Sequence, residues 1–295
     1  MKILIIANPK SGKGAAKKVM PRLKNFFEKN YAELDVYLTK KQNDATAKAK
    51  GAARSGRYDI IAACGGDGTV NEVLNGMVMA GKKGKKVRFG VIPLGTENVL
   101  AQETGIPFDT LSAARVILEG KTINIDLGNA NGRYFVLMAG IGFDAHVASK
   151  LKPFVKKIIG RAVYPITAWN ELLKYKHSEL DITIDRKIKT KGTYIVVGNI
   201  KNYGAGLKIT PKASISDGFV DACIFKGKDV FSFLEFIGGT FTKKHMDLST
   251  IEYHKAKEVV VRSKDKVLCH VDCEVIGTTP VRIKACPGIV KMIVP

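Results

Sequence analysis

Two groups of acidic residues sit where carboxylates can do chemistry. Asp67 lies inside Cys64-Gly65-Gly66-Asp67-Gly68-Thr69-Val70-Asn71-Glu72, a run of small residues between an apolar stretch and a helical pattern. Such a loop offers backbone N–H groups at the positive end of a helix, which favours a phosphate, and glycine lets that phosphate approach the main chain. A carboxylate among those amides is electrostatically out of place unless it meets a metal ion, a hydroxyl or a lysine. Asp272 and Glu274 form the second group, in His270-Val271-Asp272-Cys273-Glu274. In a strand, positions two apart share a face, so both carboxylates could enter one site, where one could accept a proton and the other hold a cation. A solvent-facing acidic stripe is the competing reading.

The elements that must hold these residues read as an α/β domain followed by a β domain. Residues 58–63 form a buried-strand pattern, and Val70, Val73, Leu74 and Met77 recur on one face of a helix after the glycine loop. Residues 3–7 and 34–38 are strand-like and stop at Asn8 and Thr39, while 88–92 runs into Pro93-Leu94-Gly95-Thr96-Glu97-Asn98. In an open parallel sheet the loops at the carboxyl ends of the strands line one crevice, so Asn8, Thr39, Asp67 and Thr96 can converge. From about residue 129 strand-like runs alternate with turns, at 134–139, 181–184, 192–198, 219–225, 259–261, 267–271 and 281–285. That pattern predicts an antiparallel β domain. The expected division is a domain over 1–128 and a second over 129–285.

Gly65-Gly66-Asp67-Gly68-Thr69 resembles the nucleotide-binding signature of the superfamily that includes NAD kinases, phosphofructokinases and diacylglycerol or sphingosine kinases. Val70-Asn71-Glu72-Val73 resembles its lipid-kinase branch, the bacterial-type diacylglycerol kinases. Asn8-Pro9-Lys10-Ser11-Gly12 is similar to the element with which that branch begins, and the spacing from Thr39 to Asp44 matches it. Thr96 and Asn98 fall in its Pro-x-Gly-Thr-x-Asn element and Asp126 in its Asp-x-Gly element.

The resemblance implies an N-terminal NAD kinase/phosphofructokinase-like domain with a mostly parallel sheet, and a mainly antiparallel β-sandwich C-terminal domain, with 286–295 returning to the first. It implies ATP bound by Asn8, Pro9, Lys10, Ser11, Gly12, Thr39, Gly65, Gly66, Asp67, Gly68, Thr69, Val70, Asn71, Glu72, Thr96, Asn98 and Asp126. A structural magnesium would take Asp217 and the carbonyls of Ser214 and Phe219, where the residues alone read as a hairpin turn. Catalysis would fall to Asp67, Asp272 and Glu274, with Asp272 as base and Glu274 in the magnesium network, the two roles being exchangeable. Two positions depart from the family. Val99 stands where many members carry an acid, and Cys273 stands where they carry glycine, which is tolerable if the backbone there does not need a positive φ.

Charge and cysteines bound the setting. The 295 residues carry 48 Lys+Arg against 27 Asp+Glu, a formal charge of +21 that favours phosphorylated ligands or an anionic membrane surface. The lysines are spread along the chain without an arginine-rich arm or a nucleic-acid module, so no nucleic-acid partner is expected. Five cysteines without a CxxC pair argue for a reducing compartment and against structural zinc. Residues 3–7 are too short for a signal peptide and no stretch suits a membrane span, so the expectation is a cytoplasmic protein that touches membranes from outside. A basic amphipathic pattern over 151–166, followed by Trp169, reads either as a lipid-settling helix or as a core-packing one. The function implied is ATP- and magnesium-dependent phosphorylation of a membrane lipid hydroxyl, diacylglycerol to phosphatidic acid. A soluble NAD kinase-like enzyme and a catalytically impaired nucleotide- or lipid-binding protein are the alternatives, and a homodimer is left open.

Overall fold

Aliphatic runs build the first sheet. In the computed structural model, residues 1–150, 178–204 and 206–295 are described, and they fall into two units, 1–125 with 288–295 and 126–287. The basic pattern over 151–166 and Trp169 lies outside the described residues.

In the first unit β1 (Lys2–Ala7), α1 (Ala15–Lys29), β2 (Glu33–Leu38), α2 (Asp44–Ser55), β3 (Ile60–Gly65), α3 (Asp67–Met79) and β4 (Arg88–Pro93) alternate, followed by α4 (Val99–Thr104) and α5 (Thr110–Glu119). The strands pair in parallel in the order β2-β1-β3-β4. Every residue of β3 is buried, as expected where helices cover both faces of a parallel sheet. Ile3, Ile5, Ile60, Ala62 and Ile92 pack with Leu23 and Phe27 of α1 and Ile117 of α5. Val70, Val73, Leu74 and Met77 are the buried face of α3.

β5 (Lys121–Ala130) leads into β6 (Arg133–Phe135), β7 (Met138–Ile141), α6 (Phe143–Lys150), β8 (Leu180–Ile184), β9 (Ile188–Gly192), β10 (Tyr194–Gly198) and β11 (Val220–Phe225). After α7 (Val230–Thr242) come β12 (Ile251–Ala256), β13 (Glu258–Arg262), β14 (Leu268–Val271), β15 (Glu274–Thr278) and β16 (Val281–Val294). One antiparallel sheet runs β12-β11-β10-β7-β14-β15. The strands β16-β13-β8-β9 are also antiparallel to one another, and the last residues of β16 lie parallel to β4. Alternate residues of the two layers, such as Ile182, Val259 and Ile283 against Val197, Ala222 and Val271, make the second core.

Three local expectations change. The run at 134–139 is not one strand, because β6 ends at Phe135 and the amides of Val136, Leu137 and Met138 turn to the carboxylate of Asp272. The segment 230–242, read as part of a strand-and-turn region, is a helix that Asp229 caps by accepting the Ser232 N–H at 2.9 Å. Its apolar residues show too little contrast between faces to announce a helix. Asp272 and Glu274 do not share a strand. Asp272 and Cys273 form the two-residue turn between β14 and β15, with φ of 45° and 65°, the left-handed backbone that short hairpin loops prefer.

Candidate active site

Strand register brings the first set of predicted residues to one edge. Ala7 is level with Leu38 and Cys64, and Gly65 with Pro93. The segments that leave this edge are stitched together by main-chain bonds. Asn8 N–H donates to Cys64 at 3.1 Å, Thr39 N–H to Ala7 at 2.9 Å and Leu94 N–H to Gly65 at 2.8 Å. A Cβ on Gly95 would stand 2.4 Å from the Cα of Gly66, so the two glycine loops touch main chain to main chain. A Cβ on Gly65 would meet the Thr69 hydroxyl at 2.6 Å and the Ser11 hydroxyl at 3.2 Å, so those hydroxyls flank the same turn. Asn8, Pro9, Lys10, Ser11 and Gly12 thus enter beside Gly65, with the Lys10 N–H bound to the Asn8 side chain at 3.0 Å.

α3 starts at Asp67 with Gly66 before it and no side-chain cap, the arrangement that leaves first-turn amides for an anion. The Asp67 carboxylate accepts the Leu100 N–H at 3.3 Å, at the start of α4. Burial pushes the Asp67 carboxyl up, with the amides of Val99 and Leu100 pulling the other way and the charge of Glu97 adding to the rise. Asn98 closes the loop that contains Thr96, accepting from Gly95 N–H at 2.7 Å and donating to Gly95 O at 3.0 Å. Val99, at the position where an acid was expected by resemblance, is a buried apolar residue. Thr69, Val70 and Asn71 are buried in the first turns of α3, and Gly68 is exposed there. Glu72 serves the structure, because its two oxygens accept the N–H groups of Asn43 and Ala45 at 3.0 and 3.1 Å and so cap α2.

In the second unit hydrogen bonds connect Asp126, the 214–219 turn and Asp272, while Glu274 stands apart. Asp126, 3% exposed, accepts the Gly218 N–H at 2.6 Å, and its own N–H donates to Ile215 O at 2.7 Å. It therefore braces the 214–219 turn. Within that turn Asp217 accepts from Phe219 N–H at 3.1 Å and from Lys255 Nζ at 2.7 Å. One carboxylate with the carbonyls of Ser214 and Phe219 is an all-oxygen donor set that suits a hard cation such as magnesium, which would share Asp217 with the Lys255 ammonium. Among the described residues no three His, Cys, Asp or Glu side chains gather as a metal cluster.

Asp272, 7% exposed, accepts Val136 N–H on one oxygen and Leu137 and Met138 N–H on the other, each at 3.0 Å. Glu274 instead meets Arg133 at 2.8 Å. The two acids leave the turn toward different partners, so the expected shared strand face does not exist. Cys273 has the positive φ that its tolerance was expected to exclude.

Sequence reasoning missed Asn199, whose side-chain nitrogen donates to Asp126 O and Val136 O at 3.0 Å each. It joins the brace of the 214–219 turn to the segment that holds Asp272. A lone Asn after Val-Val-Gly carries no signal for this. Arg133 and Lys255, the partners of Glu274 and Asp217, were equally unmarked. Asp221 follows the 214–219 turn and had no expected role. It is buried on β11, and burial pushes its carboxyl up to about 6.

Residues 2–130 match the model of the "Diacylglycerol kinase catalytic domain" family, and 138–294 match that of the "YegS C-terminal NAD kinase beta sandwich-like domain". A diacylglycerol kinase of Staphylococcus saprophyticus is 31% identical over 94% of this chain and 90% of its own. One from Bacillus subtilis is 32% identical over 94% and 90%. A crystal structure of a diacylglycerol kinase from Bacillus anthracis str. Sterne superposes with a TM-score of 0.76 at 25% identity, covering 100% of this chain and 97% of that one. With a glycine-lined edge on the parallel sheet, a braced acidic turn on the sandwich and matches along nearly its whole length, the chain belongs to the diacylglycerol kinase family and is a lipid kinase.

Proposed function

We propose that the protein transfers the γ-phosphoryl group of ATP, with magnesium, to the hydroxyl of diacylglycerol, giving phosphatidic acid and ADP. The observation that carries this reading is the contact of Gly66 with Gly95 beside Ser11 and Thr69, which leaves main-chain amides and small hydroxyls where a triphosphate can lie. The nucleotide role falls to 1–128 with the returning 286–295, and the lipid role to 129–285.

The lipid hydroxyl oxygen attacks the γ-phosphorus as the bond to the ADP oxygen breaks, and the hydroxyl proton passes to Asp272. The three amides on Asp272 hold that carboxylate in one orientation. Bound magnesium supplies charge neutralisation of the phosphates. Asp67 and Glu274 are the acids assigned to its network, and Asp217 with the carbonyls of Ser214 and Phe219 would hold the structural ion. The ATP contacts are those of the edge loops, Asn8 to Gly12, Thr39, Gly65 to Asn71, Thr96 and Asn98. Glu72 and Asp126 act one step back, by fixing α2 and the 214–219 turn.

Labelled ATP with the purified protein and a panel of lipids in mixed micelles, with and without magnesium, tests this. Label in phosphatidic acid only with magnesium is the expected result. With NAD added to the same assay, label in NADP and none in lipid would replace this reading with a soluble kinase.

A further inference from the structure

The outer side of α7 is apolar and, among the described residues, carries exposed aromatic and aliphatic side chains. Phe233, Phe236 and Thr240 are its buried face, and Phe233 and Phe236 lie against Phe225 with ring centroids at 5.6 and 5.4 Å. The opposite face carries Phe231, 84% exposed, Leu234, 39% exposed, and Phe241, 57% exposed. With Gly238 these follow each other at steps of three, four and three residues, one continuous stripe about 15 Å long at 1.5 Å per residue. The helix holds a single charged residue, Glu235. A helix apolar on both sides belongs inside a protein core or against lipid, and here only one side faces a core.

The ends of the stripe are basic. Lys228 is exposed just before the helix, and Lys243 and Lys244 are exposed just after it. Aromatic residues between lysines are what an interfacial helix presents to an anionic bilayer, the rings entering the headgroup boundary and the ammonium groups meeting lipid phosphates. An aqueous surface would gain nothing from Phe231 and Phe241.

We propose that the Phe231–Leu234–Phe241 face of α7 is the surface by which this protein seats on an anionic phospholipid bilayer. The inference rests on the lipid-kinase reading, because an enzyme whose acceptor resides in a bilayer must stay at its surface through the reaction. It names an element distinct from the basic segment over 151–166.

Sedimentation with vesicles of equimolar phosphatidylglycerol and phosphatidylcholine tests it. The double variant Phe231→Ser, Phe241→Ser is expected to partition roughly a hundredfold less than the wild type, since two aromatic rings lose their apolar surroundings. Lys243→Gln with Lys244→Gln is expected to lose about fivefold for each lysine, on anionic vesicles alone and only at low salt. Both are surface changes, so thermal unfolding should match the wild type. Turnover of a water-soluble short-chain diacylglycerol should also be unchanged. Unaltered vesicle binding by the double phenylalanine variant would overturn the proposal. So would a wild-type dimer that dissociates in that variant while vesicle binding persists, because the stripe would then face a second copy. Loss of vesicle binding in the variant, with no lipid phosphorylated by the wild type, would leave this surface standing and remove the proposed reaction.

Discussion

The carboxylate of Asp126 accepts the N–H of Gly218 at 2.6 Å, so the Asp-x-Gly element is tied to a turn 92 residues later. Asn199 extends the tie, bonding Asp126 O and Val136 O, and Val136 N–H bonds Asp272. The proposed base and the proposed magnesium turn are therefore set by one buried chain of hydrogen bonds.

Asn199→Ala should cost about 2 kcal/mol of stability, as two buried carbonyls lose their donor. It should also shrink the gain in melting temperature on adding magnesium. Calorimetry with and without magnesium checks both; an unchanged magnesium gain would separate the turn from Asn199.

Gly95→Ala and Gly68→Ala should behave differently, although both lie in glycine-rich loops. A methyl group at Gly95 meets the Gly66 main chain at 2.4 Å, whereas one at Gly68 meets nothing within 4 Å. The first should lose about 1 to 3 kcal/mol of stability and weaken ATP binding at least tenfold. The second should unfold like the wild type. Chemical denaturation and nucleotide titration decide the comparison.

Asp272→Asn should remove turnover and also lower stability by about 1 to 3 kcal/mol, because the amide cannot accept all three N–H groups. Glu274→Gln weakens a partly buried pair with Arg133 and should cost about 1 kcal/mol while reducing kcat. Turnover measured beside urea midpoints separates lost chemistry from lost folding. Wild-type turnover in Asp272→Asn would shift the base to another acid.

Cys273→Gly should stabilise the hairpin by about 1 kcal/mol, since φ is 65° at that residue and glycine adopts it without a Cβ clash. A fall in urea midpoint would show that the Cys273 side chain contributes packing that outweighs the backbone strain.

Glu252 supplies an acid-sensitive joint. Burial pushes its carboxyl up, but hydrogen bonds from Lys226, Thr190 and His254 outweigh burial and hold it at about 2. Its folded value lies below the ordinary 4.5, so the folded state gains from the charged form above that pH and loses the gain as pH falls toward 2. Glu252→Gln should lower stability by about 1 to 2 kcal/mol at neutral pH and flatten the decline between pH 4.5 and 2. A decline as steep as the wild type's would assign the acid sensitivity elsewhere.

By itself the amino-acid sequence determined the parallel α/β unit, the glycine edge and the family. Each depends on short runs: an apolar strand, a turn of small residues and a helix face repeat within about fifteen residues, and their periods are readable without knowing what lies across the sheet. The tertiary structure alone decided which partners each acid meets. Asp272 and Glu274 look equivalent at a spacing of two, yet a left-handed turn sends one into three amides from 136–138 and the other to Arg133. Glu72 looks like part of a nucleotide signature and spends its oxygens on α2. The stripe on α7 emerged the same way, because a uniformly apolar segment gives no sign of which face will be covered until the strands beneath it are in place. These partners are distant along the chain, and hydrogen-bond geometry between distant segments leaves no period in the sequence.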